Sequence, residues 1–202
     1  MTTRPFPRPT PLRTIPTRKT LAITGGIGAG KSEALRAFAR LGAATASADE
    51  IVHRLYEDPE VVAALVERWG EGVLADGRVD RAAIGRIVFA DRAELEWLEA
   101  LIHPRTVEAQ RRWRDEQDAP LLVVEVPLLY ETGADERFDA VLVVTAPRET
   151  RAARSDVADV AEREERLIPD EEKARRADFV YVNDGSLEQL DAFVRGVVEA
   201  LT

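Results

Sequence analysis

The stretch Gly25-Gly26-Ile27-Gly28-Ala29-Gly30-Lys31-Ser32 constrains this chain more than any other. It fits G-x-x-x-x-G-K-[ST], the P-loop that cradles nucleotide phosphates. Thr20-Leu21-Ala22-Ile23 ahead of it reads as a short buried strand. Leu35, Phe38 and Ala39 after it have helical spacing, and Gly42 is a natural stop. Strand, glycine turn and helix start are the three parts the chemistry needs. Glycine tolerates positive φ, so successive backbone N–H groups can turn inward onto phosphate oxygens. The helix N-terminus adds partial positive charge. Lys31 is expected to reach the β- and γ-phosphates, and the Ser32 hydroxyl to face Mg²⁺. Lysine is scarce here: Lys19, Lys31 and Lys173 are the only three among 28 basic residues. A compact ammonium on a flexible stem suits a phosphate cradle better than a planar guanidinium.

Composition removes several classes. The chain of 202 residues is long enough for one domain, or one domain with an insertion. Cysteine is absent, so disulfides, thiolate nucleophiles and zinc-thiolate sites are out. His53 and His103 are the only histidines, which is too few for a histidine metal cluster. No run of 18 apolar residues spans a membrane, and a cytoplasmic protein is expected. The net charge of −9 argues against nucleic acid as the main partner. Residues 1–19 depart from that balance. They hold Arg4, Arg8, Arg13, Arg18 and Lys19, five prolines and no acid. The rest of the chain then carries about −14. Proline favours extended backbone over helix, so the segment is expected to be a flexible tail.

Along the chain, strands and helices alternate. Ala43 to Ala48 reads as a second strand ending near Ser47. Asp49 follows at its carboxyl end, where ligands bind in open α/β sheets; it could equally cap the next helix. Residues 50–118 turn helical and are expected to form an insertion that holds a second substrate. Within it Asp58-Pro59 is a cap and first-turn pair before Val62, Leu65 and Trp69, and Gly70 is a stop. Asp80 opens another helix. Asp91-x-x-Glu94 has capping-box spacing. His103-Pro104 is expected to break the run, with Pro104 starting a new helix. Leu121–Glu125 is a buried strand, and Glu125 sits where a carboxylate would approach Mg²⁺. Ala140 to Val144 and Phe179 to Val182 are further strands. Residues 147–176 form a charged helical segment rich in arginine, most of it expected to be a solvated face of Glu–Arg pairs. Ser186-x-x-Gln189 is a capping box before a last helix. The expected fold is therefore P-loop α/β, with a mostly parallel sheet and helices on both faces.

Three classes of P-loop protein compete. A GTPase-type switch needs D-x-x-G and N-K-x-D. No Asp has Gly three places on, and the one asparagine, Asn183, precedes Asp184. The switch class is out. A small-molecule kinase and a non-catalytic nucleotide-binding module remain. The short chain, the helical insert and the arginines of 147–176 resemble kinase anatomy.

Further residues narrow the kinase to a family. Thr24 to Ser32 is similar to the T-G-G-I-G-S-G-K-S of dephospho-CoA kinases. Ser47-Ala48-Asp49-Glu50-Ile51-Val52-His53 resembles their D-A-D-x-I-x-[HR]. Asp76-Gly77, Asp80-Arg81, Phe89, Leu98 and His103-Pro104 resemble their d-G-x-l-d-R…F…L…H-P block. Glu125-Val126-Pro127-Leu128-Leu129-Tyr130-Glu131 is similar to their D-[IV]-P-L-L-[FY]-E, and Glu172-Lys173…Asn183-Asp184-Gly185-Ser186 to their closing stretch. The resemblance covers residues 20–202. It implies transfer of phosphate from ATP to the ribose 3′-hydroxyl of dephospho-CoA, the last step of coenzyme A synthesis. It also implies a five-stranded parallel core, a helical CoA-binding part within 50–118 and a lid within 147–176.

By position, Asp49 takes the place of the general base, and Arg154 that of the lid arginine that meets phosphate. His53, Arg81, His103 and Leu128 fall on the acceptor side, with Asp49. Gly25 to Ser32, Glu33 and Asn183 fall around ATP, and Ser32 and Glu125 around Mg²⁺. A monomer is expected, with ATP and dephospho-CoA as its only partners. Three positions depart from the family pattern. Ser47 replaces the first Asp of D-A-D. Glu33 stands where Thr is usual and brings one more carboxylate near the phosphates. Leu167 stands where a glutamine is usual.

Overall fold

The computed structural model describes residues 18–154 and 167–202. Its centre is a five-stranded, wholly parallel sheet. β1 (Lys19–Thr24) lies in the middle of the order β2-β5-β1-β6-β7. Its neighbours are β5 (Leu121–Glu125) and β6 (Ala140–Thr145). β2 (Ala44–Ser47) and β7 (Phe179–Val182) form the edges. The apolar runs of β1, β5 and β6 are buried on both faces, as central parallel strands require. Strand alternation assigns the faces. Leu21, Ile23, Leu121, Val123, Leu142 and Val144 pack with Phe38 of α1 (Lys31–Arg40) and Leu190, Val194 and Val197 of α8 (Leu187–Leu201). On the opposite face Ala22, Val141 and Val143 pack with Leu129 and Tyr130 from the turn after β5.

Between β2 and β5 the chain makes α2 (Ala48–Leu55), α3 (Pro59–Trp69), α4 (Arg81–Ala90) and α5 (Arg92–Glu116). This block has its own apolar cluster, built on Val61, Leu65, Val73, Ile84, Val88, Leu98 and Ile102. A small antiparallel ribbon, β3 (Leu74–Ala75) with β4 (Arg78–Val79), interrupts the helices around Asp76-Gly77. A purely helical reading of 50–118 missed that ribbon. After β6 come α6 (Arg148–Arg154) and α7 (Asp170–Arg176). Expectations for residues 1–17, Arg163 and Arg166, and for the Arg154 side chain, lie outside what is described.

Two local readings need correction. His103-Pro104 does not end a helix: α5 runs through Pro104 for 25 residues. Proline cannot donate to the carbonyl four residues back and crowds it. Two side chains bind neighbouring carbonyls in that turn, Arg105 Nη1 to Leu101 O (2.9 Å) and Thr106 Oγ1 to Ile102 O (3.0 Å). Leu98 and Ile102 anchor the helix just before the proline. The Asp91–Glu94 capping box is only half formed. Asp91 accepts from Ala93 N–H (2.8 Å), but its own N–H already bonds Ile87 O. Glu94 turns instead to Arg68 Nη2 (2.8 Å) and Trp69 Nε1 (2.7 Å). The box at Ser186 and Gln189 forms completely.

Candidate active site

The loop between β1 and α1 opens at the carboxyl end of the sheet's central strand, where parallel α/β sheets bind ligands. Its glycines are required by geometry at two points. Gly25 has φ 139°, and a methyl there would overlap the Val144 carbonyl of β6. Gly28 has φ 72°, and a methyl there would meet the Arg151 carbonyl oxygen at 2.8 Å. Gly30, at φ 98°, starts α1 without a side-chain cap. The Glu33 N–H bonds Gly30 O, and the N–H groups of Lys31 and Ser32 at the start of α1 are left for an anion.

Lys31 Nζ folds back over the loop and donates to Gly25 O (3.0 Å) and Gly26 O (2.9 Å). Burial lowers its pKa; Glu125, Asp170 and Asp49 pull it back up, and Lys173 adds to the lowering. The lysine is half-buried and braced. Ser32 Oγ donates to Glu125 Oε2 at 3.3 Å. Glu125 ends β5 and pairs in register with both Ile23 and Ser47, so it stands between the P-loop strand and the Asp49 strand. Burial raises its pKa; Lys31 and the Ser32 hydroxyl oppose this, and Asp49 and Glu50 reinforce it.

The extra carboxylate of Glu33 is neutralised within its own helix. Arg36 Nη2 lies 2.7 Å and Arg40 Nη1 3.1 Å from it, and these bonds lower its pKa. Arg40 also reaches Asp191 of α8 (2.6 Å). Arg40 therefore ties α1 to α8.

A cavity of about 640 Å³ opens beside the loop, lined by Gly28, Gly30, Lys31, Ser32, Glu125 and Asn183 among others. The Asn183 side chain is buried and donates from Nδ2 to Ala29 O (2.9 Å), while its backbone N–H bonds Thr145 O. It therefore braces the loop from β7. Asn183→Ala would leave the Ala29 carbonyl unpaired. We expect a loss of about 1–3 kcal/mol in thermal unfolding and a raised KM for the nucleotide. A variant with wild-type stability and KM would remove this bracing role.

The acceptor-side residues divide. Asp49 is exposed in the first turn of α2. It is not the helix cap: Ser47 holds that position, and no side chain bonds the helix end. β2 ends at Ser47 and so delivers Asp49 directly into the first turn. Asp49 acts electrostatically on both Lys31 and Glu125, so the three share one neighbourhood. His53 of α2 and Arg81 of α4 meet, with Arg81 Nη1 3.1 Å from His53 Nδ1. Arginine can only donate, so Nδ1 accepts and the ring proton sits on Nε2. His103 lies mid-helix on α5 and lines a second cavity of about 510 Å³ beneath that helix, with Val107, Trp113, Val124 and Val126. That groove follows β5 along Leu122 and Val124. Leu128 is exposed in the turn after β5.

Two further residues stand at the loop. A methyl on Gly26 would lie 2.6 Å from Asp170 Oδ2 and 2.9 Å from Arg151 Nη1. Arg151 thus stands at the P-loop; the Arg154 side chain lies outside the described residues. Helical spacing alone does not choose between arginines one turn apart. Ser32 Oγ and Glu125 Oε2 set two oxygen atoms side by side, donors of the kind Mg²⁺ takes. Among the described residues no group of three His, Cys, Asp or Glu could hold a metal alone.

Comparisons with known proteins point to one family. The family model for dephospho-CoA kinase matches residues 19–189. A dephospho-CoA kinase of Mesorhizobium japonicum is 41% identical over 194 residues, covering 90% of this chain and 95% of the relative. A crystal structure from Thermus thermophilus is 36% identical, with TM-score 0.81 over 92% of this chain and 98% of that one. A dephospho-CoA kinase from Campylobacter jejuni is 27% identical, with TM-score 0.65 over 89% and 95%. The chain belongs to the dephospho-CoA kinase family.

Proposed function

We propose that this chain transfers the γ-phosphoryl group of ATP to the ribose 3′-hydroxyl of dephospho-CoA. The observation that carries the reading is the convergence of Lys31, Ser32, Glu125 and Asp49 at the carboxyl ends of β1, β5 and β2 in a member of this family. Phosphoryl transfer leaves the protein little covalent work; positioning and charge stabilisation dominate.

The roles follow from placement. Loop N–H groups and Lys31 hold the β- and γ-phosphates. Ser32 and Glu125 hold Mg²⁺, which when bound offsets the charge on the β- and γ-oxygens. Asp49 accepts the 3′-hydroxyl proton as that oxygen bonds the γ-phosphorus and the bond to the β-bridging oxygen breaks. Arg151 faces the same oxygens, where a cation stabilises the transition state. Asn183 keeps the loop in shape. His53, Arg81 and Leu128 bound the acceptor cleft. The groove under α5, with His103 at its wall, receives the arm of the acceptor that leads away from the ribose. A cytoplasmic monomer suits this work. Among the described residues no helix is long and apolar enough to cross a membrane.

Glu125 supplies a test that separates chemistry from stability. In the unfolded chain it loses its proton near the ordinary 4.5; in the fold it keeps it to higher pH. Between those values the folded chain binds more protons than the unfolded one, so stability falls as pH rises through the window. Above the window the cost is complete. Glu125→Gln is therefore expected to melt at or above the wild-type temperature at neutral pH. It is also expected to lose most CoA formation and to weaken Mg-ATP binding in calorimetric titration. A variant with wild-type turnover would take Glu125 out of the metal site.

A further inference from the structure

Glu131 and Lys173, from two separate motifs, are brought together by the fold. Lys173 is fully buried, at 1% side-chain exposure, and its Nζ lies 2.8 Å from Glu131 Oε1. The same oxygen accepts the backbone N–H of Ile168 (3.1 Å). Glu131 is itself fixed by its place after buried Leu129 and Tyr130, against the sheet. Burial alone would raise its pKa. Lys173 and the N–H groups outweigh burial and lower it, which favours the Glu131 carboxylate over its acid.

The segment from Ile168 to Lys173 is thus tied at both ends to one oxygen. Asp170 lies between those ties. Its Oδ2 and Arg151 Nη1 both sit within 3 Å of the point a Gly26 methyl would occupy, so they are neighbours over the P-loop. The Arg151 backbone presses on Gly28. Asp170 and Lys173 both act on Lys31, in opposite senses. A buried ion pair is seldom worth more to stability than neutral groups of the same volume, because desolvation offsets the attraction. Its one-sided geometry here has a more specific consequence.

We propose that Glu131 and Lys173 are positioning residues for phosphoryl transfer: their ion pair holds Asp170, and Arg151 beside it, in place over the P-loop without touching either substrate. This rests on reading the P-loop as the phosphoryl-transfer site. A displacement of about 1 Å at reacting groups can cost on the order of 10²-fold in rate. The pair acts at that range, through two side chains.

The test is the double variant Glu131→Gln/Lys173→Met, which removes both charges and keeps the volume. Its melting temperature should stay close to wild type. With Mg-ATP and dephospho-CoA, kcat should fall by about 10²-fold, with both KM values little changed. Amide exchange across 168–173 should quicken, a readout independent of turnover. If the double variant fails to fold, Glu131→Asp is measured instead: it keeps the charge beside Lys173 but withdraws the oxygen, and a smaller loss in the same sense is expected. A folded variant with wild-type kcat would overturn the proposal. So would unchanged exchange at 168–173, or a kcat loss matched by the loss of folded protein. Failure of the functional reading looks different: the wild type itself would then make no CoA, and the exchange result alone would decide the positioning role.

Discussion

Lys31→Ala is expected to lower CoA formation by at least about 10²–10³-fold, the usual cost of removing one group aimed at developing charge. Lys31→Arg should not restore it, because a planar guanidinium cannot follow the path of a compact ammonium. Thermal stability should change little. The substitution removes two hydrogen bonds to Gly25 and Gly26 but also removes a half-buried cation whose burial is unfavourable. The measurements are steady-state turnover and a circular-dichroism melt of the same preparations. Loss of helicity in step with activity would make Lys31 a structural residue of the loop.

Asp49→Asn is expected to lower kcat by roughly 10²–10⁴-fold, the range for a positioned general base. The amide keeps the size of the side chain and cannot take the proton. The structure sharpens this expectation. Asp49 is exposed and is not the cap of α2, so removing its charge costs a favourable contact with the helix dipole and an attraction to Lys31, and relieves a repulsion of Glu125. ATP affinity and melting temperature should therefore hold while kcat falls. Wild-type turnover in the Asn variant would remove Asp49 from the chemistry. A joint fall in melting temperature and turnover would make it structural.

Much of this arrangement is legible in the sequence because it is local. The P-loop spacing, the apolar runs of β1, β5 and β6, the caps at Asp58 and Asp80 and the box at Ser186 are set by neighbouring residues. Pro104 misleads for a non-local reason. Leu98 and Ile102 pack into the helical block, and side chains reach the carbonyls around the proline, so tertiary contacts override a breaker. Asp91 misleads because its N–H is already taken by the preceding helix.

At the site, Lys31, Ser32, Glu125 and Asp49 follow from strand ends and motif spacing. The partner of Asn183 does not: its amide crosses from β7 to Ala29, a contact set by the sheet order alone. The Glu131–Lys173 pair and the placing of Asp170 and Arg151 over Gly26 are equally invisible in one dimension. Glu33 reads from sequence as an added charge at the phosphates. Two arginines of its own helix neutralise it.

The central claim is the identity of acceptor and atom. The direct measurement is to incubate the purified chain with Mg-ATP and dephospho-CoA and to locate the new phosphate by mass and NMR. The expected result is the mass gain of one phosphoryl group, placed on the ribose 3′-oxygen, with none formed when ATP, metal or dephospho-CoA is omitted. ATP binding without product, ATP hydrolysis indifferent to dephospho-CoA, or phosphate on any other atom would contradict the account.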